Sequence, residues 1–383
     1  MRRLIAFFAI TLALAGGAYA QTSLSGLYPK DARSMGMGGA FGSLATGYQA
    51  FFGNPAGFAG PGTLTIADLS TWAYLRPTPE NIRDIAEAAG SQMTDVDRQA
   101  LVDRLIAENG LGGGASAGLG WSGKGFGLGF NIVSDVLATG ASSADATIKV
   151  RNQANAVIGM AMPLVLGPFA FSIGVDIRAF YRLDSDGEWS FATLAAAAAS
   201  GQGMTAETAD LMTLGGVGLA LDTGATVKVG PLTAGFMVRD YGYRFSMGGA
   251  TVGELVEDWA FPLEGANAYA LTPIYTAGLG LDLRNNAVIT TSLYAEVDDP
   301  LTFFKAAGDD LESSIGLVHA GAELEFLKFI ALRAGINKGL VSVGAGLDFA
   351  LVEIDAALFS QFVDSAAMPQ GRSGIAIQAA VRF

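Results

Sequence analysis

Along residues 169–182 the side chains alternate with period two. Phe169, Phe171, Ile173, Val175, Ile177, Ala179 and Tyr181 share one face, and Ala170, Ser172, Gly174, Asp176, Arg178, Phe180 and Arg182 share the other. A greasy face opposite a small or charged one predicts a β-strand. The pattern recurs. Tyr275 to Leu283 alternate with Thr276 to Arg284, Asn285-Asn286 make a tight turn, and Ile289, Thr291, Leu293 and Ala295 return. Further strands set Val318 to Phe326 against His319, Glu323 and Glu325, then Ile330 to Ile336 against Arg333, then Val341 to Phe349 against Ser342 and Asp348.

Such strands suit a sandwich or a transmembrane barrel, and three features choose the barrel. Many run about 10 residues or more, enough to cross a bilayer when tilted. Their polar faces carry charges of both signs, which a polar lumen tolerates and a sandwich core does not. The last strand alternates through Ile375, Ile377, Ala379 and Val381 to a terminal Phe383. That ending resembles the signal read by the barrel-assembly machinery of bacterial outer membranes, so this machinery and membrane lipid are expected partners. The fold class is all-β: a transmembrane antiparallel barrel of about 14 strands.

Strands are expected to start near residues 63, 113, 124, 147, 168, 213, 225, 270, 286, 315, 328, 339, 351 and 372. Short connections fall at Gly123, Pro163 to Gly167, Thr223-Gly224, Asn285-Asn286, Leu327-Lys328 and Ala350. Longer ones cover 76–111, 137–146, 183–212, 240–268, 298–314 and 362–371, with Lys338-Gly339 a tight exception among them. Short periplasmic turns and long outer loops give that alternation, and both termini are expected on the periplasmic side. Two outer loops read as helical: 79–109, with Thr94 as a cap, and 193–211 around a break at Gly201–Gly203.

The start of the chain changes the picture. Met1-Arg2-Arg3, an apolar run and Ala18-Tyr19-Ala20 form a secretory signal peptide over 1–20. Composition then narrows function. The chain has 383 residues, 51% of them hydrophobic and 15% charged, with 52 Gly, 1 His and no Cys. Thiol chemistry, cysteine-ligated metals and multi-histidine metal sites are excluded, and no cofactor is expected. The net charge of -13 disfavours nucleic acid. No run of about 18 uncharged apolar residues follows the signal peptide, so helical spans are not expected.

Residues 21–62 precede the barrel, expected over 63–383, and do not alternate. They contain Ala32-Arg33-Ser34-Met35-Gly36-Met37-Gly38-Gly39-Ala40 and then Asn54-Pro55-Ala56-Gly57. A glycine-dense stretch permits close backbone approach, and Asn-Pro starts a turn. An ordered weakly polar segment there suits a plug, or hatch, inside the lumen. The stretch, the Asn-Pro-Ala motif, residues 319–349 and the strand count together resemble the FadL family of outer-membrane hydrophobic-compound transporters, with wording closest to its PorV and TraF-type branch. The resemblance implies a fourteen-stranded barrel plugged by a hatch. It implies passage of long-chain fatty acids or other apolar molecules through a gap in the wall, or, in the PorV branch, binding of exported proteins.

Residues expected to serve the hatch and an apolar ligand are Arg33, Met35, Met37, Phe51, Phe52, Asn54, Pro55 and Ala56; packing and a turn are the plainer readings. Glycines at 112–114, 118, 120, 123, 125, 127 and 129 mark either a kinked wall with a lateral opening or room for the hatch. Asp176, Arg178, Arg182, Arg239, Asp282, Arg284, His319, Glu323, Arg333 and Asp348 are expected to line the lumen with salt bridges and hatch contacts. A lone His319 supports no metal cage, and no serine is nominated beside it, so catalysis is not expected. The functional expectation is an outer-membrane transporter for hydrophobic small molecules. A protein-binding assembly component and a general porin are the alternatives.

Overall fold

A computed structural model describes residues 22–90, 93–200, 205–242, 244–284, 288–309, 314, 316–361 and 371–383. The expected signal peptide, the turn at Asn285-Asn286, the Gly201–Gly203 break and the side chain of Arg284 lie outside the described residues.

Fourteen antiparallel strands close on themselves. They are β1 (Thr63–Tyr74), β2 (Leu111–Gly123), β3 (Phe126–Thr139), β4 (Thr147–Leu166), β5 (Phe169–Ser185), β6 (Met212–Val229), β7 (Leu232–Gly242), β8 (Ile274–Arg284), β9 (Ile289–Asp298), β10 (Val318–Phe326), β11 (Ile330–Asn337), β12 (Leu340–Asp348), β13 (Val352–Gln361) and β14 (Arg372–Arg382). β14 pairs with β1, from Gly374 on Tyr74 to Arg382 on Thr65, so no edge is left. Neighbours in sequence are neighbours in the wall throughout.

The period-two reading sets which way each side chain faces. On β5, Ile177 is 51% exposed on the outside and Arg178 is 1% exposed inside. Leu279 and Val343 lie outside in the same way, and Asp176 and Ser342 inside. Exposed aliphatic and aromatic residues thus form a continuous outer belt, the surface a membrane-spanning barrel presents to lipid. Among the described residues no helix is long and apolar enough to cross a membrane.

Among the described residues the loops follow the expected alternation, except that Pro163–Leu166 belong to β4 and the chain reverses at Gly167-Pro168, and the expected loop 362–371 lies almost wholly outside the described residues. Helices Pro79–Ala89 and Asp95–Asn109 stand in the first long loop. Thr94 caps the second of these, its hydroxyl accepting from the Asp97 amide. The third long loop holds Phe191–Ser200 and Ala206–Ala209. Lys338 and Gly339 turn tightly with φ of 49° and 89°, the hairpin geometry that favours glycine.

Three expectations are corrected. Thr223-Gly224 is not a turn: β6 runs on to Val229 and β7 starts at Leu232 rather than near 225, the chain reversing at Gly230-Pro231. Gly224 is small for another reason, because a Cβ there would strike the carboxamide of Asn54. Secondly, the N-terminal end of the described chain does not sit with the C-terminus. Thr22–Leu24 pairs in parallel with Tyr269–Leu271 beside the long-loop end of β8, while Phe383 bonds to Leu64 at the short-turn end. Thirdly, helices Val252–Glu257 and Pro300–Asp309, and strands Phe245–Thr251 and Asn267–Leu271, were absent from the sequence pattern.

Candidate functional site

Residues 22–62 descend through the lumen from the long-loop end to the short-turn end. Leu24 joins Phe180, Phe245, Met247 and Leu271 in an apolar cluster near the top. Around this cluster, Arg182 donates to the Ser25 carbonyl at 3.2 Å and, below Phe180, Arg178 to the Tyr28 hydroxyl at 3.0 Å. Burial drives the Tyr28 hydroxyl well above its ordinary pKa, so it stays protonated. Arg178 also pairs with Asp240 and, at 3.4 Å, with Asp222. A bulge explains how Arg239 and Asp240 both reach this cluster. The β6–β7 register shifts after Leu221, and Asp240 takes φ 60°. Arg239 stacks over the Tyr28 ring and donates to the Phe52 carbonyl.

The middle of the segment is held by charge. Asp31 caps helix Ala32–Gly36 by accepting from the Ser34 amide at 2.8 Å, and its other oxygen takes Gln49. The Ala32 amide donates to Gln378 of β14 at 3.1 Å. Arg33 makes two bonds to Glu323, of 3.0 and 2.6 Å. Glu323 also accepts from Arg333 at 2.5 Å, and Arg333 reaches Asp355 at 2.5 Å. Burial works to lower the Arg33 pKa, but the charge and hydrogen bonds of Glu323 outweigh it and hold it above the ordinary value. Nearer the long-loop end, His319 contacts the Gly38 carbonyl through Nδ1 at 2.9 Å and Asp298 through Nε2 at 3.0 Å. Ser43 donates its amide and hydroxyl to Glu296 at 2.6 and 2.5 Å.

The lower part packs by shape. Tyr48, Phe51 and Phe58 form a cluster with Val157 on β4. A Cβ at Gly127 or Gly159 would meet the Phe58 ring, one at Gly120 or Gly129 the Phe51 ring, and one at Gly118 the Tyr48 hydroxyl. Of the two readings of the β2–β3 glycines, room for the lumen segment holds at Gly118, Gly120, Gly127 and Gly129, whereas Gly112, Gly113 and Gly114 meet neighbouring wall strands. The ladder there is unbroken, from Leu111 on Ala138 to Gly123 on Phe126. Asn54 is fully buried; its amide donates to Ser43 at 2.7 Å and to Ala225 and Phe236 at 3.2 Å, and its oxygen accepts from Ala56. Pro55 and Ala56 lie against Gly174 on β5.

Two expected lumen residues lie elsewhere. Asp348 is exposed and accepts from the Ala350 amide, capping the β12–β13 turn, and Asp282 faces Lys228 at 3.5 Å in a half-exposed pair. Both stand at the short-turn rim, where the lumen opens to water. Met37 is fully buried beside Phe41 and Ala45, and Met35 packs on Leu27, Trp72 and Phe359.

No feature of the residue pattern signals the break in the wall between β12 and β13. β12 pairs with β13 only from Val343 on Leu358 to Asp348 on Glu353. Beyond that, Leu340–Ser342 and Phe359–Gln361 have no backbone pairing with each other, while β13 stays paired to β14 out to Gln361 on Arg372. A side-chain bond crosses there, from the Ser360 amide to the Ser342 hydroxyl at 3.1 Å. The seam holds a cavity of about 290 Å³ lined by Val341, Val343, Leu358, Phe359, Ser342, Ser360, Ser373 and the loop residues Arg76 to Thr78. Outside it are exposed aliphatic residues; inside it is the buried Phe359 ring, beside Tyr74 and Lys30.

No family model and no curated protein matches the chain. Among solved structures it is similar to the toluene transporter TodX of Pseudomonas putida, at 15% identity over 95% of this chain and 99% of that one, with a TM-score of 0.43. A FadL homologue of Pseudomonas aeruginosa matches at 14% over 96% and 99%, with a TM-score of 0.41. Outer membrane phospholipase A of Escherichia coli matches at 8% over 82% and 92%, with a TM-score of 0.31. The barrel itself is defined by the chain's own ladder, closed from β14 to β1.

Proposed function

We propose that the chain is a bacterial outer-membrane transporter for hydrophobic small molecules, with residues 22–62 as its hatch. The observation that carries this reading is the seam between β12 and β13. A cavity with aliphatic walls, a few hydroxyls and Arg76 at its loop end lies in the lipid-facing wall, with the Phe359 ring between it and the lumen. A molecule that prefers lipid to water gains from a path through the wall, and an ion or sugar does not. The resemblance of the N-terminal motifs to the FadL family supports the same reading and suggests long-chain fatty acids.

Uptake of a labelled long-chain fatty acid and of a labelled aromatic hydrocarbon, in a host lacking its own transporter, tests it. Val341→Trp, at an exposed position, and Ser342→Trp should each fill the seam and abolish uptake while the barrel still shows heat-modifiable gel mobility. Uptake unaffected by both substitutions would reject the seam as the path. Planar-bilayer conductance separates the porin reading. The full chain should be silent, and deletion of 34–57, which removes no strand, should open a steady pore. A full chain that conducts would favour a porin.

The protein-binding alternative draws on one feature, the exposed Leu301 and Phe304 of helix Pro300–Asp309 in a long loop. A photocrosslinker placed at Leu301 that captures an exported protein, together with no uptake of either label, would favour it.

A further inference from the structure

The loop between β7 and β8 does not stay above the barrel. After helix Val252–Glu257 the chain runs through Trp259, Phe261, Pro262 and Leu263 before entering strand Asn267–Leu271. This stretch folds onto the outer face of the wall. The Leu263 carbonyl accepts from the Val217 amide of β6, a residue whose own side chain points outward. The Phe261 ring meets the ring of Tyr181 on β5, edge on, with centroids 6.2 Å apart. A Cβ added to the outward-facing Gly215 would touch Pro262. Tyr181 belongs to the greasy face of β5, so Phe261 and Pro262 cover part of the belt.

What this covering exposes in turn is apolar. Trp259 is 77% exposed and Leu263 62%, with Phe261 less so. Trp259 also holds φ 53°, a backbone conformation that bulky residues rarely adopt, so the bend that presents it is maintained against strain. These side chains continue the outer belt directly, since Val217 and Leu219 beside them are exposed belt residues.

Height on the wall decides what they meet. An apolar band about 25 Å tall spans about ten residues of a tilted strand. Counted up β6 from Val229, it ends near Leu219 and Val217. The stretch therefore lies at the upper margin of the band, where tryptophan and other rings sit between headgroup and acyl chain. Glu264 beside Leu263 keeps it from going deeper, because a carboxylate is costly in the hydrocarbon.

We propose that Trp259, Phe261 and Leu263 form a lipid anchor, a flap laid over β5 and β6 that enters the headgroup–acyl boundary at the long-loop rim. The occupant of this surface is the surrounding bilayer. The anchor stands apart from transport and concerns how deep and at what tilt the barrel sits.

The absence of cysteine makes the test direct. Single variants Trp259→Cys and Leu263→Cys of the full chain carry a spin label, and Val96→Cys, in a loop helix, serves as the aqueous reference. Each is folded into phosphatidylcholine vesicles, and relaxation by oxygen is compared with relaxation by a water-soluble nickel chelate. Oxygen should dominate at 259 and 263 and the chelate at 96. Chelate access at 259 and 263 equal to that at 96 would overturn the proposal and leave the flap in water. Low access to both agents, with a dimer by mass, would overturn it in favour of a second copy of this chain. If the label disturbs the bend, native Trp259 reports instead. The fluorescence lost in Trp259→Phe should be the part quenched by lipid brominated high on the acyl chain; quenching by acrylamide alone would again overturn it.

Discussion

Two sides of the wall grip the same lumen segment in different ways. Against β2, β3 and β4 the grip is steric: Tyr48, Phe51 and Phe58 sit in places left open by Gly118, Gly120, Gly127, Gly129 and Gly159. Against β10, β11 and β13 charge is added to fit: Gly321 and Gly335 leave room for Met37, and Arg33, Glu323, Arg333 and Asp355 form one chain of charge-assisted hydrogen bonds, with His319 on Gly38 beside it. The difference bears on movement. Rings in close-fitting sockets lose dispersion contacts as soon as they shift, whereas a bidentate ion pair can be exchanged for another charge partner without leaving a hole. Behind the seam between β12 and β13, Phe359 joins Leu27, Ala32 and Met35 of the lumen segment in one apolar cluster, nearer the long loops than Asp355. The part of the lumen segment nearest the proposed path is thus held by apolar packing, and the exchangeable contacts lie on its short-turn side.

Breaking the ionic side should have the largest effect. Glu323→Gln leaves Arg33 and Arg333 facing a neutral amide, and removing one partner from a buried ion pair costs about 3–5 kcal/mol. Denaturant unfolding of the folded barrel measures the loss. A smaller loss, near that of an exposed pair such as Arg98 with Asp95, would mean that the cluster is solvated and the grip is not ionic.

The steric side should respond to volume instead. Gly127→Val drives a side chain into the Phe58 ring, and overpacking of this kind costs about 1–3 kcal/mol. Combining it with Phe58→Leu should recover part of the loss, since the smaller side chain returns room. The same second change should leave Glu323→Gln unaltered. If Phe58→Leu relieved both, the two sides would be one coupled unit and the comparison would fail.

Much of this was legible because strand parity is strict. Once alternation assigns Ile177 outward, Arg178 must point inward, and one in-phase reading orders a whole strand. The closed fourteen-strand wall and its loop alternation follow from that rule. Partners are a different matter. Arg33 and Glu323 are 290 residues apart, and no local pattern couples them. Gly224 carried a signal, but glycine marks both a turn and a close approach, and only the position of Asn54 separates the two. The bulge that sends Asp240 inward beside Arg239 breaks parity, so parity misses it. The seam had no signal because it is a missing ladder between Val341-Ser342 and Phe359-Ser360, strands whose composition is that of their paired neighbours.

Lys30 is where the two kinds of grip meet, and it should give the smallest effect. Its ammonium donates to Gln361 at 2.7 Å while lying 5.7 and 5.8 Å from the ring centres of Tyr74 and Phe359. Burial pulls its pKa down from 10.5 to about 8; Asp135 opposes this, while Arg151 and Arg372 add to it. The folded pKa thus lies below that of the unfolded chain. Below about pH 8 both states carry the proton and the cost of burying the charge is present in full. Between about 8 and 10.5 the unfolded chain holds the proton more tightly than the folded one, so stability rises with pH through that window. Lys30→Met should flatten the rise while leaving the rings packed. A wild-type profile that falls across the same window, with the Met variant flat, would place Lys30 on the ionic side outright, its charge held by Gln361 and Asp135 rather than suppressed by the rings.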